Sequence, residues 1–357
     1  MRFTIQRSDL TRVLTNVGRV VESRNTIPIL SNVKLSAVLG QLRVTATDRD
    51  IVATDAAPAT VEGEGDICVS SKLLGDIAKK AGSDTIEVSL DGDIVKVKAG
   101  RSQFKLASLP ASDFPDLDEG DFDASFDIDL AALFAPAAFA ISTEETRYYL
   151  NGVFLHLFED GEQYLRAVAT DGHRLSRHQV SYRGEAAFKG VIVPRKTVGL
   201  LPKGDVNVSV GEAKIRITAG DFVLTSKLID GTFPDYDRVI PTSNSNRVIV
   251  DRDAFMKAAD RVATVSSERG RAVKLTIAPG SVGFTVNNAD AAATDEIETD
   301  YSGEPIEIGF NAAYLRDLFG VLPTGPVTIA LADAGSPGVF TSDGFQGLTL
   351  VGMPMRV

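Results

Sequence analysis

One pattern recurs along this chain at a spacing of about 120 residues, the size of a whole domain and far longer than a solenoid unit. In one copy Phe104-Lys105-Leu106-Ala107-Ser108 leads to Phe114-Pro115-Asp116, and in the next Phe222-Val223-Leu224-Thr225-Ser226 leads to Phe233-Pro234-Asp235. Upstream, Ala46-Thr47-Asp48 corresponds to Ala169-Thr170-Asp171, and more loosely to Asn288-Ala289-Asp290 in a third copy. A chain of 357 residues exceeds what one core usually organises, so the repeat implies three domains, at 1-122, 123-245 and 246-357. The linkers fit: Asp116 to Asp123 is acidic, and Pro241 to Asn246 is rich in Pro, Ser and Asn.

Each copy opens with a segment of helical periodicity, Asp9 to Val21, Asp129 to Ile141 and Asp253 to Val265, with the leading Asp suited to an N-cap. A second helix is expected mid-copy, over Lys72 to Ala81, Lys196 to Leu201 and Ala312 to Leu322. Between helices the apolar residues alternate, as in Val206, Val208, Val210 and again Ile215, Ile217. Asp91-Gly92 reads as a type I′ hairpin turn. The fold class is therefore α+β, with two helices per copy laid on antiparallel sheet.

Composition narrows the function. Hydrophobic residues at 44% and charged residues at 24% match a globular protein and exclude a mainly disordered one. The single cysteine, Cys68, lies in the apolar run Ile67-Cys68-Val69 and reads as a buried strand residue in a reducing, cytoplasmic setting. The first residues lack the pattern of a secretory signal, and no run approaches the ~20 apolar residues of a membrane span. The net charge of -11 opposes a protein coated in nucleic acid, yet seven of the nine basic residues after position 245 lie between Arg247 and Lys274. Charge is segregated by element, so a basic face toward DNA stays compatible with an acidic whole.

Taken together, RYYLNG (147–152), ATDGHRL (169–175), VIVPRK (191–196), TSKLIDGTFPDY (225–236) and the terminal MPMRV resemble the bacterial DNA polymerase III beta subunit, the sliding clamp family. The resemblance runs in order from Phe3 to Val357. It implies repeated clamp domains in a head-to-tail dimeric ring around duplex DNA, a clamp loader complex to place it there, and no catalytic site, metal or cofactor. A sliding contact must avoid base readout, so basic helix side chains against phosphates are the expected chemistry, and Arg7, Arg12, Arg19 and Arg24 punctuate the first helical stretch. The resemblance assigns DNA contact to Arg24, Arg147, Tyr148, Tyr149, Arg195 and Lys196, the last two at a helix N-terminus that favours phosphate. One departure is Thr143-Glu144-Glu145, whose carboxylates should repel phosphate.

The resemblance also implies a groove between the second and third domains for short peptide motifs of the replicative polymerase and other clients. Its matching positions are Leu150, Thr170, Gly172, His173, Arg174, Leu175, Pro234, Arg238, Val239, Asn311, Tyr314, Val351, Met353, Pro354, Met355 and Arg356. Methionines suit a surface that repacks for several ligands. Gly270 and Gly352 stand where larger apolar groups are expected. The dimer contact falls to Phe104 and Leu106 against Thr264 and Val265.

Two other readings compete. His173 lies beside Asp171 and Ser176, but a hydrolase triad draws its members from separated elements, and no nucleophile elbow or Walker loop occurs. A metal-dependent nuclease would use Asp48, Asp50, Asp171 and Asp290, although recurrence of equivalent Asp in every copy fits a turn-forming device better. A scaffold that binds proteins without DNA is the weaker rival.

Overall fold

The computed structural model describes residues 1–22, 24–115, 120–265 and 272–357, so Asp116 of the first Phe-Pro-Asp motif and Gly270 lie outside the described residues. The chain divides into two compact units: Met1–Ala131 with Ala186–Phe188 and Gly199–Leu228, and Ala132–Glu185 with Lys189–Val198 and Ile229–Val357. The division falls inside the middle repeat because its strands hydrogen-bond to those of its neighbours. Strand Phe222–Lys227 pairs antiparallel with Ile51–Pro58, and strand Arg174–Ser181 pairs antiparallel with Leu348–Gly352.

In the first unit a thirteen-stranded antiparallel sheet runs from Ala124–Ile128 at one edge to Thr60–Gly63 at the other. Helix α1 (Arg7–Gly18) buries Leu10, Val13, Leu14 and Val17 against strands Gln41–Thr47 and Ile51–Pro58. This i, i+3, i+4, i+7 spacing makes one continuous apolar stripe. Helix α2 (Ser71–Lys80) packs beside α1 and is N-capped by Ser70, whose hydroxyl accepts from the Leu73 amide. Asp9 is not the cap expected of it: α1 begins two residues earlier, and the Arg7 amide donates to the Asp84 carbonyl. The hairpin turn also shifts by one residue. Asp91 pairs with Ile94, leaving Gly92-Asp93 as the loop. Only Gly92 has positive φ there, which excludes type I′; a loop with positive φ at both positions occurs instead at Leu39-Gly40. Cys68 is fully buried on strand Gly65–Ser70, clustered with Ile29, Leu30 and Phe114, and burial pushes its thiol up to about 11.

The second unit holds an eight-stranded sheet and a four-stranded sheet, both antiparallel. The middle repeat's first helix is much shorter than expected. Helix α3 (Leu130–Phe134) stops because Pro136 disfavours helical backbone at Ala135 and lacks an amide to continue the ladder, and a 3-10 turn at Ala138–Ala140 replaces the rest. Helix α4 spans Arg195–Leu200, the expected length begun one residue early. Helix α5 (Arg252–Ala263) repeats the α1 solution, burying Phe255, Ala258, Ala259 and Val262 at the same spacing. Its cap is Asp251 rather than Asp253, the Asp251 carboxylate accepting from the amides of Asp253 and Ala254. Helix α6 (Ala312–Gly320) is capped by Asn311 and packs on α5, Phe255 stacking on Phe319 at 4.0 Å between centroids. Alternating strands read from the sequence hold: Val206, Val208, Val210, Ile215 and Ile217 are all buried.

Arg12, expected on a free basic face, is instead an internal anchor. It forks onto Asp55, whose side chain is wholly buried, at 2.8 and 3.0 Å, and donates to the Ala56 carbonyl. Asn16 completes the carboxylate's shell at 2.7 Å. Arg12→Ala strands that buried charge, and urea unfolding is expected to show a loss of about 3 kcal/mol; a loss near that of exposed pairs, below ~0.5 kcal/mol, would show the contact to be superficial.

Candidate functional site

A repeated turn builds the first wall of the site. In the second unit the Asp171 carboxylate accepts from the amides of His173 and Arg174 at 2.9 and 3.0 Å, closing a tight turn with Gly172 at φ +88°. Asp48 does the same for Asp50 and Ile51, and Asn288 for Asp290 and Ala291. The equivalent of Asp48 and Asp171 in the third copy is therefore Asn288, two residues before the Asp290 that the loose sequence match suggested. The Asp48 and Asp171 carboxylates are engaged by backbone amides, Asp50 pairs with Lys227 at 2.9 Å, and among the described residues no three His, Cys, Asp or Glu side chains gather as a metal site.

The turn presents His173 and Arg174 to α6. His173 stacks on Tyr314 at 5.8 Å, and the Arg174 guanidinium lies 4.6 Å over the same ring and 5.3 Å from Phe139. Arg174 is held by Asp171 at 3.1 Å and by Asp317. Arginine here is scaffolding that fixes Tyr314, not a free cation. Thr170 shapes the same turn, its hydroxyl donating to the Arg174 carbonyl and accepting from the Gly172 amide.

Beside this turn, Leu150, Leu175 and Val351 form one buried cluster with Val168, Ile192, Phe233 and Tyr236. Leu175 and Val351 are directly opposite across paired strands. Phe233, stacked on Phe154 at 4.9 Å, plays the part in this cluster that Phe114 of the first repeat plays beside Cys68. The chain then exposes apolar surface around the cluster: Val239 at 52%, Met353 at 41% and Met355 at 39%. The terminal segment is docked, not frayed. The Met353 amide donates to the His173 carbonyl and the Met355 amide to the Gly309 carbonyl, both at 2.8 Å. Gly309 is required there, since a Cβ would sit 2.3 Å from Val357. Gly352 is likewise a close-packing position, where a Cβ would lie 3.1 Å from Leu318.

Not every expected residue joins this assembly. Pro234 is exposed next to Phe233, and Arg238 is exposed and paired with Asp235 at 2.8 Å. Arg356 is exposed, and Asn311 acts as the α6 cap. Sequence reasoning passed over Phe233 and Tyr236 although both flank Pro234 in a quoted motif, and it missed the layer beneath them. Arg166, almost fully buried, donates to the Tyr236 hydroxyl at 3.1 Å and stacks on Phe158, while Asp237 lies 3.7 Å from Arg166 and 3.6 Å from Arg177. Tyr236 is 2.8 Å from His156 Nε2, and His156 Nδ1 is 2.8 Å from the Leu157 carbonyl. A carbonyl only accepts, so Nδ1 carries the proton and Tyr236 donates to Nε2.

Basic positions are scattered. Arg24 and Arg195 are exposed. Arg147 pairs with Glu144 at 2.8 Å, so one of the two carboxylates expected to repel phosphate is engaged within its own loop. Tyr148 is 54% exposed and packs edge-on against Tyr149. Helix α4 is a turn and a half long, so its dipole adds little at Arg195 and Lys196. In the first unit Phe104 is exposed on strand Ser102–Leu109, whereas Leu106 is buried within its own protomer. Thr264 is exposed at the C-cap of α5 and Val265 packs partly against the core.

Val239, Met353 and Met355 thus expose apolar surface beside a buried cluster, with the Asp171 turn and the Asn311-capped helix α6 holding His173, Arg174 and Tyr314 in place, a surface suited to a docking protein. Three family profiles match it in order: the N-terminal domain of the DNA polymerase III beta subunit at residues 1–118, the central domain at 128–235 and the C-terminal domain at 237–356. The Beta sliding clamp of Caulobacter vibrioides is 44% identical over the whole of both chains. A sliding clamp from Bartonella birtlesii bound to griselimycin superposes with a TM-score of 0.96 at 43% identity, covering all of both chains. A Caulobacter crescentus beta sliding clamp with PEG bound to a putative beta-motif tethering region gives 0.95 at 43%, covering all of this chain and 99% of that one. The chain belongs to the DNA polymerase III beta subunit family of sliding clamps, replication accessory proteins and not enzymes.

Burial holds His156 and His178 below the usual imidazole range, with Arg166 adding to the effect at His156. The folded state thus binds fewer protons than the unfolded chain once pH falls below the ordinary histidine value of 6.5. Stability is fully present above that value and is lost as pH drops through it toward the depressed folded values. The urea midpoint should fall between about pH 7 and about pH 5.5, and less steeply in a His156→Gln/His178→Gln chain; identical slopes would place the titration elsewhere.

Proposed function

We propose that the chain encircles duplex DNA as a head-to-tail homodimer in the cytoplasm and tethers the replicative polymerase and other motif-bearing clients through the groove. A clamp loader complex would place it on DNA. The domains are 1-122, 123-245 and 246-357, a reading supported by the three matched segments. No helix among the described residues is long and apolar enough to cross a membrane.

The groove carries the reading: Leu150, Leu175 and Val351 form a rigid apolar floor, and Met353 and Met355 form an adaptable rim pinned by backbone bonds. Thr170, Gly172, His173, Arg174, Asn311 and Tyr314 shape one side, with Pro234, Arg238, Val239, Pro354 and Arg356 at the margin. An extended client segment would anchor apolar side chains in it. DNA contact by Arg24, Arg147, Tyr148, Tyr149, Arg195 and Lys196 would be non-specific and salt-sensitive.

Open sheet edges support the dimer. Residues 102–107 of strand Ser102–Leu109 pair on one side only, with Ile94–Ala99, and strand Ala292–Glu298 is an edge of its sheet. The first carries Lys105 and the second Asp295, Glu296 and Glu298, so the two edges complement in charge. Phe104, Leu106, Thr264 and Val265 lie on or beside elements at these edges or packed against them.

Deleting Met353–Val357 removes the rim and two backbone bonds. Fluorescence anisotropy with a polymerase-tail peptide should report a loss above about 2 kcal/mol, with the melting midpoint nearly unchanged; unchanged affinity would put the client site elsewhere. Phe104→Asp should convert dimer to monomer in light scattering, because an unpaired carboxylate would enter the junction. Leu106→Asp is expected to unfold the first unit instead, since Leu106 is already buried. Dimers persisting in Phe104→Asp, or equal retention on linear and circular DNA, would contradict the ring.

A further inference from the structure

The first unit holds a second cleft, away from every residue assigned above. Its floor is the sheet face formed by four adjoining strands, Asn32–Val38, Gln41–Thr47, Ile51–Pro58 and Phe222–Lys227, and it encloses about 490 Å3, within the range of ligand sites. Lys34 and Arg43 form one wall. They are diagonal neighbours, because Lys34 sits opposite Thr45, two residues along from Arg43. Arg216 stands at the other wall, four strand spacings or roughly 19 Å from Lys34.

Two features of this cleft point to an anionic ligand. Among the described residues neither the Lys34 nor the Arg43 side chain has a hydrogen bond or ion pair, although the chain carries a net charge of -11 with carboxylates in excess. Like charges side by side on a sheet face destabilise it, and the fold does not offset that cost internally. Among the described lining residues Asp221 is the one carboxylate, beside Lys34, Arg43 and Arg216, the last with its guanidinium 4.6 Å over the Phe122 ring. The remaining lining is hydroxyl and β-branched, with Thr45 and Thr54 sharing a hydrogen bond on the floor.

We propose that this cleft docks an extended acidic peptide segment of a partner protein, laid across the strands with carboxylates at the Lys34-Arg43 wall. Arginine forks match carboxylates in two-point contact, and the floor hydroxyls can serve peptide carbonyls and amides. The lining favours peptide over single-stranded nucleic acid: none of its described residues is aromatic, and sequence-tolerant binding of single strands depends on stacking bases on aromatic side chains. The site is independent of the apolar groove, which lies wholly in the second unit.

The test uses the full chain and a short fluorescein-labelled peptide of alternating glutamate and serine, followed by anisotropy at low and high salt. Saturable binding that weakens with salt is expected, with affinity falling roughly tenfold or more in Lys34→Glu/Arg43→Glu and by a smaller factor in Lys34→Gln/Arg43→Gln. Thermal melts verify that both variants fold, and the glutamine pair carries the test if the glutamate pair does not. The chain lacking Met353–Val357 should bind the peptide as the intact chain does, which separates this site from the client groove. Absence of saturable binding, equal affinity in the folded variants, or preference for an oligothymidylate over the peptide would each overturn the proposal.

Discussion

Backbone pairing across repeat boundaries is the constraint on which the rest of the structure depends. A sheet edge leaves a row of amides and carbonyls that must be satisfied or shielded. Here the middle repeat satisfies one row with Ile51–Pro58 of the first copy and another with Leu348–Gly352 of the last. Its own helices are short, five and six residues, and contribute little independent core. The middle segment is therefore held by its neighbours' strands, and contacts group the chain into two units although the sequence repeats three times.

The same pairing assembles the groove. Register places Leu175 opposite Val351 and Arg174 opposite Gly352, so the terminal strand arrives with its apolar residue over the cluster and its next residues beside His173. The Asp171 turn fixes where Arg174 and His173 leave the sheet, and Tyr314 receives both. Beneath, the Arg166 to Tyr236 to His156 chain of hydrogen bonds holds the Phe-Pro-Asp-Tyr segment against the floor. Hydrogen bonds linked in series in this way rigidify the apolar surface they support.

Much of this was legible because periodicity reports local geometry. Alternation in Val206, Val208 and Val210 and the helical stripe of α1 and α5 depend only on which face is apolar. Helix starts were misread where an Asp inside the first turn looked like a cap, as at Asp9 and Asp253. The full-length helix expected at Asp129 failed at Pro136, a signal present in the sequence and underweighted. What no local pattern encodes is partnership at a distance: that Arg12 serves Asp55, that Arg174 serves Asp317, or that Phe233 rather than Pro234 fills the floor. Resemblance named the residues of the proposed client site; their division into buried cluster, exposed rim and scaffold comes from packing.

Burial of Cys68 has a practical consequence for chemistry on this molecule. With its thiol pushed up to about 11, roughly one molecule in ten thousand carries the reactive thiolate near neutrality. Since Cys68 is the chain's sole cysteine, the native surface offers no reactive thiol to maleimides or iodoacetamides. A cysteine introduced at any exposed position becomes a unique handle. Crosslinkers, spin labels and fluorophores can then be attached one at a time, without first removing a residue on which the core depends.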